Sequence, residues 1–219
     1  MRVNESGRSM IEMLGVLAII GVLSVGGIAG YSKAMNKFKT NKVSDNVSML
    51  VANIKTLYAQ QNTYTDLDNA NAVSMGVVPD ELVTDATAGT LTNAFNGPVF
   101  INEADSTVDG DTKAFVIEFT QLSREACITL ATNDWGSGYS SGLIAIEVKG
   151  NATATAAPTA RDTSLDTVYI GSASAKKEDG DSIAMPGNTT LAVPMQVTQA
   201  AKACNCDKGN TCSILWKYY

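Results

Sequence analysis

The chain has 219 residues, a formal net charge of −6 and no histidine, and only 17% of its residues are charged while 45% are hydrophobic. This composition excludes a disordered acidic polymer, and the negative balance disfavours a nucleic acid partner, which would require a basic surface. Without histidine the chain cannot build a Ser-His-Asp or Cys-His catalytic site or a histidine metal site, so most familiar enzyme mechanisms are excluded.

Residues 13–29 form an uncharged apolar segment close to the minimum length for a membrane span. Extending it to residues 10–31 brings one carboxylate, Glu12, into the segment. A secretory signal peptide is an alternative interpretation, because Arg2 and Arg8 precede the apolar segment. Glu12 and the length of the segment argue against removal of this region.

Helical periodicity continues beyond the apolar segment. Apolar residues recur at steps of three and four at Val43, Val47, Leu50, Ile54 and Leu57. The pattern predicts one helix over residues 9–60, about 80 Å long, that is apolar on all sides at first and amphipathic afterwards.

The rest of the chain, residues 61–219, predicts a small antiparallel-sheet head, so the fold class is α+β. Residues 61–96 are expected to form a long loop with one short helix. Strands are predicted at 98–102, 113–120 and 142–149, with weaker ones at 167–170, 191–197 and 213–218. A helix is predicted at 123–131 after the N-cap Ser123, and residues 151–164 read as a surface loop.

Glu12 needs a positively charged partner, because a carboxylate in hydrocarbon costs at least about 2.5 kcal/mol. If the chain were cut after Gly7, the new amino group on Arg8 would lie one helical turn from Glu12, or could pair with Glu12 of a neighbouring copy.

The order Gly7, Arg8-Ser9-Met10-Ile11-Glu12 and then an apolar segment resembles the cleavage motif of type IV pilins. The resemblance implies a leader at 1–7 that prepilin peptidase removes between Gly7 and Arg8, followed by methylation of the new terminus. It implies a membrane and polymerisation segment at 8–31, an amphipathic half-helix at 32–60 and a head at 61–219. Glu12 would pair with the N-terminus of a neighbouring subunit during assembly.

The same resemblance implies a subunit of a helical filament of identical chains, without a cofactor. The subunit would lie in the bacterial inner membrane, with its head in the periplasm, until the pilus assembly machinery adds it to an extracellular pilus. Two features depart from the family: Arg8 stands where an apolar residue is usual, and the leader of residues 1–7 is very short. Separately, Lys33, Lys37, Lys39 and Lys42 follow the span, although basic residues favour the cytoplasmic side.

Five glycines interrupt the apolar segment, and Gly26 and Gly30 have the spacing of a close-packing motif between helices in lipid. The Gly26-Gly27 pair is predicted to allow local unwinding in a filament, because each glycine costs a helix about 1 kcal/mol relative to alanine. Simple helix packing is the alternative.

Four cysteines occur at Cys127, Cys204, Cys206 and Cys212. A pair of Cys204 with Cys206 would be strained, so the preferred pairing is Cys127 with Cys204 and Cys206 with Cys212. Exchange of Cys204 and Cys206 is the second choice. Residues 113–130 and the cysteine-rich C-terminal segment resemble the type IVb branch, including the conjugative thin-pilus pilins.

Several alternatives remain open from the sequence. The cysteines could bind zinc, although Cys-x-Cys is not the usual spacing. The acidic pairs Asp66/Asp68, Asp109/Asp111 and Asp179/Asp181 could bind calcium or form solvated turns. Trp135 and Trp216 could serve a sugar site, although Trp216 is expected to pack in the core. The chain could also be a minor pilin, a type II secretion pseudopilin or a membrane-tethered ligand-binding domain.

Overall fold

The computed structural model describes residues 6–106, 112–136, 141–152, 194–204, 206 and 211–219. The helices of this part are α1 (Ser6–Leu57), α2 (Asn69–Ser74), α3 (Arg124–Thr132) and α4 (Val197–Ala203), with a 3₁₀ turn at Asp80–Leu82. The strands are β1 (Val83–Asp85), β2 (Thr90–Leu91), β3 (Val99–Ala104), β4 (Ala114–Leu122), β5 (Leu143–Ala152) and β6 (Thr211–Tyr218). The predicted strand at 167–170, the acidic pairs Asp109/Asp111 and Asp179/Asp181, and residues 153–164 of the predicted surface loop lie outside the described residues. Residues 151 and 152 of that loop belong to β5 instead.

The chain divides into two compact units, Met1–Phe38 and Lys39–Tyr219. The division falls within α1, whose 52 residues begin and end three residues earlier than predicted. Serine and threonine side chains within the helix donate to carbonyl oxygens four residues earlier, as Ser48 Oγ does to Ser44 O at 3.0 Å and Thr56 Oγ1 to Ala52 O at 2.7 Å. These polar side chains are thereby satisfied without leaving the helix.

The head contains a four-stranded antiparallel sheet in the order β3-β4-β6-β5. The three main predicted strands are confirmed as β3, β4 and β5, each displaced by one to three residues. The weakly predicted C-terminal strand is β6, which lies between β4 and β5 and pairs Ile117 with Trp216 on one side and Trp216 with Ile146 on the other. The fold class α+β is therefore confirmed, and the C-terminal strand is central to its sheet.

One face of the sheet packs against α1 and α3 to form the main core. Phe115, Ile117 and Phe119 alternate along β4 on this face, and all are fully buried. From α1 the same core receives four of the five residues of the predicted stripe, all fully buried: Val43, Val47, Leu50 and Ile54. The fifth, Leu57 at the end of the helix, is 44% exposed, so the stripe ends one step earlier than predicted. The amphipathic half of the predicted helix is thus confirmed as a core element.

The opposite face of the sheet is also buried but carries charge. A small apolar cluster here includes Val116, Leu215 and Ala145. Glu118 on β4 and Glu147 on β5 both pair in register with Leu215, and both are 4% exposed. Lys217 on β6 is 1% exposed and donates from Nζ to Ser106 O at 2.9 Å. Buried charges of this kind require partners, because desolvation of an unpaired charge costs several kcal/mol.

Residues 61–96 contain more regular structure than predicted. They contain α2, the 3₁₀ turn and the hairpin of β1 and β2, where a loop with one short helix was expected. Asp68 is the N-cap of α2, and its carboxylate accepts from Asn71 N at 2.7 Å. Gly97 follows at a point where a Cβ atom would collide with the Thr120 carbonyl, so the chain approaches β4 closely only because this residue is glycine.

The predicted strand at 191–197 is wrong for its described part. Pro194 to Gln196 lie outside any strand, and Val197 begins α4. Alternating apolar residues suggested a strand here, but Pro194 has no N–H to donate to a ladder, and the run VTQAAKA favours a helix through its alanines. The helix predicted at 123–131 is confirmed as α3, and Ser123 Oγ accepts from Ala126 N at 3.2 Å as its N-cap.

Candidate assembly segment and its head

The apolar part of α1 presents its side chains to the surroundings. The large apolar residues from Met10 to Tyr31 are between 53% and 75% exposed, and Glu12 is exposed among them. By length and composition, one helix in the described part of the chain could cross a membrane. A soluble surface does not tolerate an apolar patch of this length, so the segment is built to be covered by lipid or by other protein.

The glycines of this segment are not required by packing within the described chain. A Cβ atom added at any of the five apolar-segment glycines, Gly26 and Gly30 included, would meet nothing within 4 Å. Five glycines together destabilise a helix by about 4 to 5 kcal/mol relative to alanine. Their positions remain open for close approach by another helix.

Gly7 and Arg8, the predicted cleavage residues, lie in the first turn of α1. Glu12 lies one turn further along the same helix. The structure thus places the bond and the carboxylate at the spacing that the motif requires, and their roles remain predictions.

Three lysines of the second half of α1 interact with the head. Lys42 Nζ lies 3.0 Å from Glu81 Oε2, and Lys39 Nζ lies 5.6 Å from the centre of the Phe95 ring. Lys55 donates from Nζ to Ser141 O at 2.7 Å and lies 4.9 Å from the centre of the Tyr218 ring. Burial lowers the pKa of Lys55. No sequence signal identified these contacts, because a lysine on an amphipathic helix usually faces solvent.

The aromatic residues around Lys55 form a continuous cluster. Tyr58 contacts Tyr64, Tyr64 contacts Phe115, and Phe115 stacks on Tyr218, with ring centres 4.8 to 5.9 Å apart. Burial raises the pKa of Tyr218 and of Tyr64. The pKa of Tyr58 is also raised, first by burial and then by the nearby carboxylates Asp66, Glu103 and Asp68.

The structure joins Cys127 to Cys204 and Cys206 to Cys212, the first of the two predicted pairings. The first bridge connects α3 to the end of α4 across 77 residues of sequence, and the second closes a separation of six. The sulfurs of Cys127, Cys204 and Cys212 lie within 4.8 Å of one another because the two bridges are adjacent. No free cysteine occurs among the described residues, so these sulfurs carry no thiolate for zinc.

Trp216 belongs to the core, and the half-buried Trp135 packs against it. Trp216 is fully buried, and the Trp135 ring packs edge-on against it with ring centres 5.0 Å apart. Trp135 Nε1 donates to Leu130 O at 2.8 Å. The contact between the two indole rings therefore helps to pack α3 against β6.

The acidic pair Asp66/Asp68 has structural partners of its own. Asp68 caps α2, and the Asp66 N–H donates to Glu103 Oε2 at 2.7 Å. Asp66 has a φ of 64°, as a tight turn requires. This arrangement is a hydrogen-bonded turn.

The outer edge of β3 is covered by the side chain of Asn69. Its amide donates to Val99 O at 2.9 Å and accepts from Ile101 N at 2.7 Å, so it imitates one step of a neighbouring strand. Two residues earlier, Leu67 O accepts from Glu103 N at 2.7 Å. These bonds satisfy backbone groups that would otherwise pair with another chain.

With this geometry established, comparison with known proteins identifies the family. The family model described as PilS N terminal matches residues 37–217. The chain belongs to this family of pilins. As a pilin it is a structural protein and not an enzyme, and the type IV pilin resemblance is confirmed.

Individual relatives agree with the family. The pilin is 27% identical over 149 residues to the major structural subunit of bundle-forming pilus from Escherichia coli O111:H-, covering 68% of this chain and 75% of that protein. It is 26% identical over 140 residues to the toxin coregulated pilin of Vibrio cholerae, covering 60% of this chain and 59% of that protein. A solved type IVb pilin from Salmonella typhi is similar with a TM-score of 0.48 and 18% identity, over 80% of this chain and 95% of that one.

Proposed function

We propose that this pilin is the major subunit of a type IV pilus, held in the inner membrane by residues 8–31 before assembly and polymerising through the same segment into an extracellular filament. The observation that carries the proposal is the exposure of the large apolar side chains from Met10 to Tyr31 on a helix whose later half is buried in the head. Two relatives are themselves named as major structural subunits of bundle-forming pilus, which supports the same role.

One surface serves both states. A helix of about 20 apolar residues is stable in the hydrocarbon of a bilayer, and it is equally stable when neighbouring helices of a filament replace the lipid. Transfer between the two states therefore leaves the apolar side chains covered, and Glu12 exchanges an unpaired carboxylate in hydrocarbon for a paired one. Gly26 and Gly30 would provide the close approach between helices, since nothing in the described chain occupies the space beside them.

Glu12 supplies the register of assembly in this proposal. Prepilin peptidase cuts between Gly7 and Arg8, and the new amino group of one subunit pairs with Glu12 of its neighbour as the assembly machinery extracts the subunit. Pairing neutralises a carboxylate that is otherwise costly in an apolar environment. Local unwinding at Gly26-Gly27 would let the filament extend, and unchanged filament rise in a Gly26→Ala/Gly27→Ala variant would contradict that part.

The test combines processing with one substitution. Mass spectrometry of sheared filaments is expected to find a chain that starts at Arg8. Glu12→Ala is expected to reduce sheared filaments at least tenfold while the subunit accumulates in the membrane with its disulfides intact. Asp45→Ala, which removes an exposed carboxylate from the later half of the same helix, is the matched control and should assemble normally.

Two outcomes would contradict the proposal. A mature chain beginning near Tyr31 would indicate a secreted head without its assembly segment. Normal filaments from Glu12→Ala would show that assembly does not depend on this carboxylate, and would overturn the role given to Glu12.

A further inference from the structure

Four lysines follow the apolar segment, and the structure divides them into two pairs. Lys39 lies over Phe95 and Lys42 is bonded to Glu81, so both interact within the head. Lys33 and Lys37 are exposed, and neither has a hydrogen bond, ion pair or ring contact with the described residues. Lys33 and Lys37, here termed the basic pair, are thus available to a group outside the subunit.

The sequence around the basic pair offers no counterion. Between Glu12 and Asp45 the chain contains no aspartate or glutamate, although its net charge is −6. Two positive charges therefore stand together at the end of an apolar segment. Basic residues on the far side of a first span also oppose the usual orientation rule, so their presence carries a cost in membrane insertion.

The position of the basic pair along α1 matches the headgroup layer of a bilayer. With a rise of about 1.5 Å per residue, the Cα atoms of Lys33 and Lys37 lie about 6 and 12 Å beyond Ala29. Side chains on a helix point toward its N-terminus and cover the preceding turn, so each ammonium group lies about 5 Å nearer the hydrocarbon than its Cα atom. The headgroup layer of one leaflet is about 5 to 8 Å thick, and both ammonium groups fall at or within it.

Tyr31 marks the same boundary independently. It is 67% exposed and lies between the apolar segment and Lys33. Tyrosine is enriched at the membrane–water interface because its ring is apolar and its hydroxyl is polar. Along the helix, the apolar side chains come first, Tyr31 follows, and the two lysines come next. This is the order of the hydrocarbon, the interface and the charged headgroups in one leaflet of a bilayer.

We propose that Lys33 and Lys37 bind the phosphates of anionic phospholipid headgroups while the subunit waits in the membrane. The inference rests on the proposed membrane span, and it identifies anionic phospholipid as the lipid class that surrounds this span. Each lysine near an anionic surface contributes attraction that salt weakens, and Lys39 and Lys42 contribute less because their charges are engaged in the head. The stored subunit would therefore be surrounded preferentially by anionic lipid.

The test measures lipid selectivity of the full chain in vesicles. The protein is reconstituted in phosphatidylcholine vesicles containing phosphatidylglycerol, and spin-labelled forms of each lipid report which one contacts the protein. The wild type is expected to prefer phosphatidylglycerol about fivefold at low salt, and high salt should abolish the preference. Lys33→Gln/Lys37→Gln should reduce the preference to near one, whereas the matched control Lys39→Gln/Lys42→Gln should retain it.

The outcomes separate this inference from the proposed function. A wild type without preference, or a double variant at the basic pair with undiminished preference, overturns lipid binding while leaving the span intact. If the double variant keeps its lipid preference but loses filaments, the lysines contact acidic groups of a second copy instead, and the inference also fails. Flotation of the vesicles after a carbonate wash tests the span itself, and a wild type that does not float overturns both proposals.

Discussion

The two units of the chain differ in whether their apolar side chains are buried. In the first unit, Leu17 is 60% exposed and Leu23 is 68% exposed, although both lie on a regular helix. In the second unit, Leu50 and Ile54 on that same helix are fully buried in the head. The later half of α1 is thus covered by the head of the same subunit. The apolar side chains of its first half must be covered by lipid or protein from outside the subunit.

The difference separates stability from assembly. Changes in the buried half should lower the free energy of unfolding of the head, whereas changes in the exposed half should alter membrane residence and filament formation. Both tryptophans, Trp135 and Trp216, lie in the head, so their fluorescence reports head unfolding without a contribution from the first unit.

The largest expected effect on the head comes from the long disulfide. A loop of 77 residues corresponds to about 4.5 kcal/mol in the chain-entropy account, and a loop of six to about 2 kcal/mol. Cys127→Ala/Cys204→Ala should therefore lower the unfolding free energy about twice as much as Cys206→Ala/Cys212→Ala, as measured by urea titration of tryptophan fluorescence. Membrane integration should be unchanged in both. Equal losses would mean that the loop lengths do not determine the contribution of each bridge.

A smaller effect compares the two halves of α1 directly. Leu50→Ala removes a fully buried side chain and is expected to destabilise the head by about 3 kcal/mol, because it leaves a cavity between α1 and the sheet. Leu17→Ala is the matched change in the exposed half and should leave head stability within about 0.5 kcal/mol. Urea titration of both variants in the same detergent makes the comparison. A comparable loss from Leu17→Ala would mean that the first unit contributes to the fold of the head.

The elements that the sequence predicted well are those whose signal is local. The steps of three and four from Val43 to Ile54 predicted the buried stripe of α1, and Ser123 marked the start of α3 by its side-chain bond to the next turn. Long apolar runs at β4 and β5 likewise predicted strands that are buried on both faces.

The elements that the sequence missed depend on partners far along the chain. Lys55 is paired with Ser141 O, 86 residues away, and Asn69 bonds β3 residues 30 and 32 positions later. No periodicity predicts such contacts. The error at 191–197 has a different cause, since a strand-like alternation was given more weight than Pro194 and the alanines of α4.

The smallest expected effect concerns alkaline pH and is confined to the second unit. Burial raises the pKa of Tyr218 above its usual value near 10, so above pH 10 the unfolded chain loses a proton that the folded chain keeps. Stability therefore falls as pH rises, by up to about 1.4 kcal/mol per pH unit for this group. Burial lowers the pKa of Lys55, which has the opposite sign: stability rises with pH until the unfolded lysine also deprotonates near 10.5.

Tyr218→Phe isolates the first of these contributions. The substituted ring can still stack on Phe115 and lie beneath Lys55, so the packing of β6 is retained and only the titrating hydroxyl is removed. The variant should match the wild type at pH 8 and lose stability less steeply above pH 10, by up to about 1.4 kcal/mol per pH unit, in urea titrations at a series of pH values. Lys55→Met should instead remove the gentle rise below pH 10. If the unfolding free energies of Tyr218→Phe and the wild type fell equally steeply above pH 10, the loss of stability would be due to Tyr58 and Tyr64. The pKa values of these two tyrosines are also raised, and they lie in the same aromatic cluster.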